Sequence, residues 1–126
     1  MIYYENPMKK TKDKYSVNGR IWIEKDGETF IGYGRVILLE RIKKYGSISM
    51  AAKSMDMSYR HAWELVDSMN RLSRKRLVET STGGKGGGGA KLTDEGEQAI
   101  ELFWSLYNDL GTFLKEGKKG RLDLFK

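Results

Sequence analysis

Two short stretches of the sequence carry residue types that could do chemistry. The first is TGGKGGGGA at residues 82–90, which contains six glycines and one cation, Lys85. The second is SYRHAWE at residues 58–64, which brings hydroxyl, guanidinium, imidazole and carboxylate groups together. A glycine-rich loop can cradle a phosphate, and polar side chains on one helical turn can contact phosphates and base edges.

The glycine-rich stretch does not fit the phosphate-binding loop of nucleotide-hydrolysing enzymes. That loop needs a glycine, four residues, and then Gly-Lys followed by Ser or Thr. Here Lys85 is followed by Gly86, and the first glycine of the motif would fall on Glu79. Two interpretations remain, a flexible linker and a hairpin tip whose backbone closely approaches a phosphate chain. We favour the hairpin tip, because the apolar helical segment that follows has no second core of its own.

Composition narrows the classes of function. The chain has 126 residues, a net charge of +6, no cysteine and a single histidine, His61. This length suits one domain with a modest core, and the charge favours nucleic acid or an anionic membrane as a partner. Because thiolate sites are excluded, we expect no metal and no cofactor. No apolar run could span a bilayer and no signal peptide opens the chain, so we expect a cytoplasmic protein without a membrane partner.

The N-terminal half should position the second stretch. Alternation in NGRIWIEKDGETFIG predicts two short strands, near 19–24 and 29–32, on either side of a tight turn at Asp26-Gly27. A helical period then begins at Gly34 and stops at Gly46, which predicts the first helix.

Residues 47–73 predict a helix-turn-helix motif. Ser49 and Ser58 are good N-caps for two successive helices, and Asp56 between them tolerates the left-handed conformation that the bend requires. The first turn of the second helix presents a polar outer face, where a recognition helix meets base edges and phosphates. That face consists of Ser58, Tyr59, Arg60, His61 and Glu64.

The C-terminal half predicts a hairpin and a long helix. After the basic cluster Arg74-Lys75-Arg76, LVET and AKL read as two strands joined by the glycine-rich stretch. Thr93 caps a last helix with two adjacent apolar stripes, more than one small domain can bury. We therefore expect a homodimer, with an interface that includes Leu102, Leu106, Leu110 and Phe113.

These segments resemble the N-terminal DNA-binding domain of the ModE family of molybdate-responsive transcriptional regulators. The resemblance covers about residues 34–107 and is carried by SYRHAW, TGGKGGGGA and LTDEG. It implies a winged helix-turn-helix that dimerises, partly through its long last helix, and that binds an operator with dyad symmetry. On this chain it implies a recognition helix at about 58–72 and a wing at about 77–92, with the glycine-rich part at about 81–90.

The sequence departs from that family in two respects. Full-length regulators continue into oxyanion-binding domains, for which no room remains before Lys126, so we do not expect molybdate binding by this chain. The N-terminal segment reads as a hairpin where those regulators mainly have a helix, so the dimer contacts of that segment do not carry over.

The sequence thus predicts a mainly α fold with small β structure, a winged helix-turn-helix with an N-terminal β-hairpin and a long C-terminal helix. We expect a flexible basic segment at 1–17, the DNA-binding domain at 18–116 and a tail at 117–126. The predicted function is sequence-specific binding of double-stranded DNA as a dimeric transcriptional regulator, without catalysis. The alternatives are a winged-helix interaction module that docks to a separate effector subunit, and an enzyme that uses Lys85 as a phosphate clamp. The predicted DNA-contacting residues are Ser49, Ser58, Tyr59, Arg60, His61, Glu64, Arg74, Lys75, Arg76, Lys85, Gly86 and Gly87.

Overall fold

The architecture comes from a computed structural model that describes residues 15–81, 88–117 and 120–125. The chain forms two compact units. One spans Trp22–Phe103, and the other combines the chain up to Ile21 with the chain from Trp104 onward. The predicted limits of the DNA-binding domain, 18 and 116, stay a prediction.

The first unit opens with an antiparallel hairpin of β1 (Ile23–Lys25) and β2 (Glu28–Ile31). Both turn residues have positive φ, 51° at Asp26 and 83° at Gly27, the conformation that matches the twist of a two-residue hairpin. The predicted turn is therefore confirmed. The first strand was predicted at 19–24, which is too early in the sequence. In the structure pairing starts beside the turn, with Lys25 opposite Glu28. The prediction missed this charged pair because it followed only the alternation of hydrophobic residues.

Three helices follow: α1 (Tyr33–Tyr45), α2 (Ile48–Ser54) and α3 (Tyr59–Leu72). Helix α1 ends where predicted, at Gly46, whose φ is 67°. The prediction of Ser49 as the cap of α2 is wrong. The cap is Ser47, whose Oγ accepts a hydrogen bond from the Met50 N–H at 3.1 Å, because the chain is already extended at Ser47 directly after the Gly46 reversal.

The bend between α2 and α3 forms as the sequence predicts. Asp56 has a φ of 56°, and the Met57 N–H donates to the Ala52 carbonyl at 3.0 Å. Ser58 caps α3, since its Oγ accepts a hydrogen bond from the His61 N–H at 3.0 Å. The side chains that face inward from these elements are fully buried, and they form one core. Its largest members are Ile31, Val36, Leu38, Leu39, Ile42, Val66, Met69, Leu77, Val78 and Phe103.

The second hairpin pairs β3 (Val78–Ser81) with β4 (Gly89–Leu92) in antiparallel register. The residues from 82 to 87, which join the two strands, lie outside the described residues. The two predicted strands are confirmed, and with them the winged helix-turn-helix fold.

The last helix, α4, spans Asp94–Gly117. Thr93 caps it as predicted, because its Oγ1 accepts a hydrogen bond from the Gly96 N–H at 3.1 Å. Part of the apolar surface of α4 is buried, with Phe103 at 1% exposure and Leu114 at 7%. Of the four residues predicted for the dimer interface, which we call the outer stripe of α4, Leu102 and Phe113 are exposed at 53% and 65%, and Leu106 and Leu110 are half-buried.

Gly96 in the first turn of α4 is required by a close backbone approach. A Cβ added there would overlap the carbonyl oxygen of Leu77 and would lie 3.3 Å from both the Leu77 carbonyl carbon and the Leu92 Cβ. Neither obstacle is the free end of a flexible side chain. The glycine of the LTDEG motif therefore allows α4 to begin against the wing strands.

Replacing Gly96 with alanine should lower the free energy of unfolding by about 1–3 kcal/mol, because the added methyl group overpacks the junction. The midpoint of thermal unfolding, followed by circular dichroism, should fall by several degrees. Gly34→Ala is the matched control, since Gly34 also lies in the first turn of a helix but an added Cβ meets nothing within 4 Å. We expect that control to retain or gain stability. Equal losses in both variants would contradict the steric explanation.

Candidate nucleic-acid interface

The outer face of α3 is the first part of the candidate interface. The side chains of Arg60, His61 and Glu64 are 90%, 56% and 61% exposed, and Tyr59 is 53% exposed. The inward-facing residues of α3 that anchor this surface, among them Ala62 and Val66, are fully buried. The helix therefore presents cationic, aromatic and carboxylate groups together in its first two turns.

Glu64 organises this polar face. Its Oε2 lies 3.4 Å from Nε of Arg60, one turn earlier. Its Oε1 lies 3.8 Å from Nδ1 of His61. Because these pairs are open to solvent they hold the side chains only weakly, so Arg60 remains available to an external acceptor.

Tyr59 and Trp63 form an aromatic pair beside these charges. Their ring centroids lie 6.2 Å apart at an interplanar angle of 81°. This edge-to-face contact orients the exposed Tyr59 ring against the half-buried Trp63. Ser49, which was also predicted to contact DNA, lies exposed in the first turn of α2.

The second part of the interface is the basic cluster between α3 and β3. All three residues of the cluster are exposed, but they differ in their ion pairs. Lys75 Nζ lies 3.7 Å from Glu95 Oε2. Within the part of the chain that the structure describes, Arg74 and Arg76 have no carboxylate within 4.0 Å. Of the three cations in this cluster, only Lys75 is therefore paired with a carboxylate from the described ranges.

A cation that sequence reasoning missed, Lys91, lies at the base of the wing. The register pairs Lys91 with Glu79, and the Lys91 side chain is exposed while its neighbour Ala90 is buried. Lys91 makes no ion pair among the described residues. Alternation in AKL could have shown that this lysine faces outward. It lines an open cleft of about 780 Å³ together with Gly46, Arg76, Glu79, Thr80, Ser81, Gly89 and Ala90.

The residues predicted to form the DNA-contacting tip of the wing, Lys85, Gly86 and Gly87, lie outside the described residues. Just below the tip, the Gly89 N–H donates to Ser81 Oγ at 3.2 Å, which closes the last described pair of the hairpin.

Asn70 attaches the base of the wing to α3. Its Oδ1 accepts hydrogen bonds from the N–H groups of Leu77 at 2.8 Å and Val78 at 3.2 Å. Its Nδ2 donates to the Val78 carbonyl at 3.1 Å. The amide therefore occupies the edge of β3 that does not face β4 and satisfies backbone groups that would otherwise lack partners. No periodicity in the sequence indicates this role.

Two further contacts hold the base of the wing. The Ala90 N–H donates to the carbonyl of Gly46, the residue that ends α1, at 3.0 Å. The Thr93 hydroxyl donates to the Arg76 carbonyl at 2.6 Å and to the Leu77 carbonyl at 3.2 Å. The wing is thus attached to α1, α3 and the start of α4.

Ion pairs and hydrogen bonds occupy several other cations. Arg71 Nη2 donates to Glu28 Oε1 at 2.9 Å, and this hydrogen bond and the charge of Arg71 lower the pKa of Glu28. Lys43 Nζ lies 2.8 Å from Glu97 Oε1, and this hydrogen bond raises the pKa of Lys43. Arg35 donates to Ser68 Oγ at 2.9 Å, and partial burial lowers its pKa. These cations tie elements together, so they are less available to an external anion than Arg74, Arg76 and Lys91.

The described ranges contain neither a metal-binding cluster nor a membrane-spanning helix. No group of three histidine, cysteine or acidic residues there could hold a metal ion. No helix there is both long enough and apolar enough to cross a membrane.

Known proteins resemble this chain over a limited region. The transcriptional regulator ModE of Yersinia pestis is 52% identical over 69 residues, 55% of this chain and 26% of that protein. ModE of Haemophilus influenzae is 45% identical over 74 residues, 59% of this chain and 29% of that protein. The molybdenum transport protein ModE of Azotobacter vinelandii is 39% identical over 87 residues, 69% of this chain and 32% of that protein. The chain therefore spans about a quarter to a third of the length of these relatives.

Comparison of folds gives the same architecture. A LysR family transcriptional regulator of known structure matches 70% of this chain and 28% of its own, with a TM-score of 0.51 and 15% identity. At that identity the match concerns the fold alone. No family model matches the chain. The resemblance predicted from SYRHAW, TGGKGGGGA and LTDEG is nevertheless confirmed: this chain contains a winged helix-turn-helix region similar in sequence to ModE transcriptional regulators.

Proposed function

We propose that the chain is a transcriptional regulator that binds double-stranded DNA as a homodimer, with residues 18–116 as its DNA-binding domain. The observation that carries the proposal is the exposed polar face at the start of α3, on a fold and a sequence similar to named regulators. The relatives described above are named as regulators or as a transport protein, not as enzymes, so the proposal includes no catalysis.

In this proposal α3 enters the major groove with its first two turns. Arg60 is the side chain best suited to guanine, whose O6 and N7 accept a bidentate pair from a guanidinium group. Glu64 can accept from the amino group of cytosine. Tyr59, His61 and the capping hydroxyl of Ser58 complete the contacts to bases and nearby phosphates, and Ser49 contacts the backbone from α2.

The basic residues after α3 fix the protein on the backbone. Arg74 and Arg76 meet phosphates, and Lys75 can join them by leaving Glu95. The wing follows the adjacent backbone or minor groove through Lys85, Gly86 and Gly87. Phosphate contacts of this kind set register and affinity, whereas the side chains of α3 supply the choice of sequence.

A second copy covers the outer stripe of α4. The exposure of Leu102 and Phe113, on the same helix as the half-buried Leu106 and Leu110, supports this part of the proposal. Two-fold pairing is the commonest way to cover such a surface. It would present two copies of α3 to two half-sites of opposite orientation.

Selection of binding sites from random duplex DNA tests the function. We expect enriched sites with two-fold symmetry whose half-sites lie about one helical turn, roughly 34 Å, apart, because each half of the dimer reads one of them. Sedimentation of the complex should give two chains per site. If no sequence is enriched above the input pool, the proposed function is wrong.

Arg60→Ala should weaken binding to the selected site by about 1–3 kcal/mol and relax the choice of base at one position in each half-site. Competition between the selected site and single-base variants measures both effects. Lys25→Ala is the control, because it removes the same charge from the N-terminal hairpin and should leave base preference unchanged. An equal loss on every sequence would assign Arg60 to a phosphate instead of a base.

Arg76→Ala should reduce the slope of log affinity against log salt concentration by about 0.9, the value of one phosphate contact on duplex DNA. Lys75→Ala, which removes the same charge one position away, should reduce the slope less, because Lys75 must leave Glu95 before it can meet a phosphate. Equilibrium binding over a range of salt concentrations measures both slopes. A larger effect at Lys75 would show that internal ion pairs do not decide which cations meet the DNA.

A further inference from the structure

The amide of Asn70 joins the two elements to which the proposed function assigns DNA contacts. Asn70 lies in the last turn of α3, and its hydrogen bonds reach Leu77 and Val78, where the first wing strand begins. The side chain is half-buried. Its donor and its acceptor are both used, so rotation of the amide would break every one of these bonds.

Among the described residues, the other hydrogen bonds that hold the wing come from outside α3. Gly46 holds β4 through Ala90, and Thr93 holds the backbone at Arg76 and Leu77 from the start of α4. Without Asn70 the wing would still be tied to α1 and α4. Its direct hydrogen-bonded link to the recognition helix would be lost.

The cations at the base of the wing depend on the backbone that Asn70 holds. Arg76 directly precedes Leu77, the first residue bonded to the amide. Lys91 lies on β4, one pair along the register from the Val78–Leu92 pair. Both cations line the same open cleft and neither has an ion pair among the described residues.

We propose that Asn70 is a positioning residue that makes α3 and the wing bind DNA as one unit, by fixing β3 so that Arg76 and Lys91 meet phosphates beside the bases that α3 reads. This inference rests on the proposed function. It adds a phosphate contact by Lys91 to the proposed function. It also adds a role for Asn70, which touches no DNA but determines whether the Lys91 contact forms together with the contacts of α3.

The physical reason is the entropy of ordering. A wing already fixed relative to α3 loses little conformational freedom when the second set of contacts forms. If the link is cut, the wing must be fixed relative to α3 at the moment of binding, and that cost cancels part of the gain from its phosphate contacts. The contributions of Asn70 and Lys91 to the free energy of DNA binding should therefore be coupled, although their side chains contact different partners.

A double-mutant cycle tests the coupling. Salt dependence is measured for the unaltered protein, Lys91→Ala, Asn70→Ala and the double variant on the same selected duplex. In the unaltered background Lys91→Ala should reduce the log–log slope by about 0.9, the value of one phosphate contact. In the Asn70→Ala background it should change the slope by much less, because Lys91 no longer meets its phosphate reliably.

Two controls separate positioning from loss of stability. Val36→Ala truncates a fully buried side chain of α1. It should lower the melting temperature but leave the effect of Lys91→Ala on the slope intact. Asn70→Asp keeps an oxygen acceptor for the N–H groups of Leu77 and Val78 and loses only the bond to the Val78 carbonyl. Two of the three bonds to β3 therefore remain, and Lys91→Ala should again reduce the slope. The added charge of the aspartate is present both with and without Lys91→Ala, so it cancels when the two salt slopes are subtracted. If the alanine variant does not fold, Asn70→Ser takes its place in the cycle, because the shorter hydroxyl side chain cannot bond both the N–H groups and the carbonyl that the amide reaches.

The outcomes distinguish this inference from the proposed function. Additive slopes in the cycle, or no effect of Lys91→Ala in the unaltered background, would overturn the role of Asn70 and leave DNA binding by α3 standing. If Lys91→Ala also failed to change the slope in the Val36→Ala background, the effect of Asn70→Ala would be explained by a general loss of stability and not by positioning. Absence of any salt-dependent binding by the unaltered protein would overturn the proposed function itself.

Discussion

The backbone of Leu77 is the point on which the arrangement of α3, the wing and α4 depends. Its N–H donates to Asn70 of α3 at 2.8 Å, and its carbonyl accepts from the Thr93 N–H at 3.0 Å and from the Thr93 hydroxyl at 3.2 Å. The same carbonyl lies where a side chain on Gly96 would be. One peptide segment therefore fixes the end of α3, the start of the wing and the start of α4. Because its side chain is also buried at 2% exposure, the junction has little freedom to shift without disturbing the core.

The distribution of ion pairs decides how much of the positive charge faces outward. Glu28, Glu97 and Glu95 each lie against a cation from another element. Exposed pairs of this kind contribute little to stability, but they take cations away from an external polyanion. The pKa of Glu28 is lowered, so its pair with Arg71 is complete above the ordinary pKa of a glutamate and is lost only as the pH falls through the lowered value. At neutral pH the N-terminal hairpin thus keeps Arg71 in an ion pair, whereas Arg74 and Arg76 have no such pair among the residues that the structure describes.

Periodicity and turn chemistry made most of the fold predictable. The αL residues Asp26, Gly46 and Asp56 marked the turns, and the amphipathic spacing of α3 identified its buried and exposed faces before the structure did. The cap at Ser47 was missed because two serines lie two residues apart and both suit an N-cap, so only the direction of the chain after Gly46 separates them. Such a choice is made by tertiary geometry and not by local preference.

Residues of the candidate interface could be predicted from the sequence where the regular geometry of a helix determines which side chains share a face. A helical pattern shows that Arg60 and Glu64 share a face, but it cannot show that Glu95 neutralises Lys75, because those residues are brought together by the junction at Leu77. Asn70 was invisible for a related reason: an asparagine inside an amphipathic helix reads as a solvated polar residue, and its role comes from backbone groups that follow the end of that helix. Side chains that bond to distant backbone leave no periodic trace.

The rigid junction at Leu77 is important because a glycine-rich stretch follows Ser81. Glycine loses more conformational freedom than any other residue when it becomes ordered, so a glycine-rich segment that closes on a partner carries a large entropic cost. Fixing the ends of such a segment reduces the number of arrangements open to it before binding. The Gly89 to Ser81 hydrogen bond fixes the two ends relative to each other, while Asn70, Gly46 and Thr93 fix the strands relative to the helices. The strands that lead to this segment are held from three sides, and this lowers the entropic cost of placing so many glycines between them.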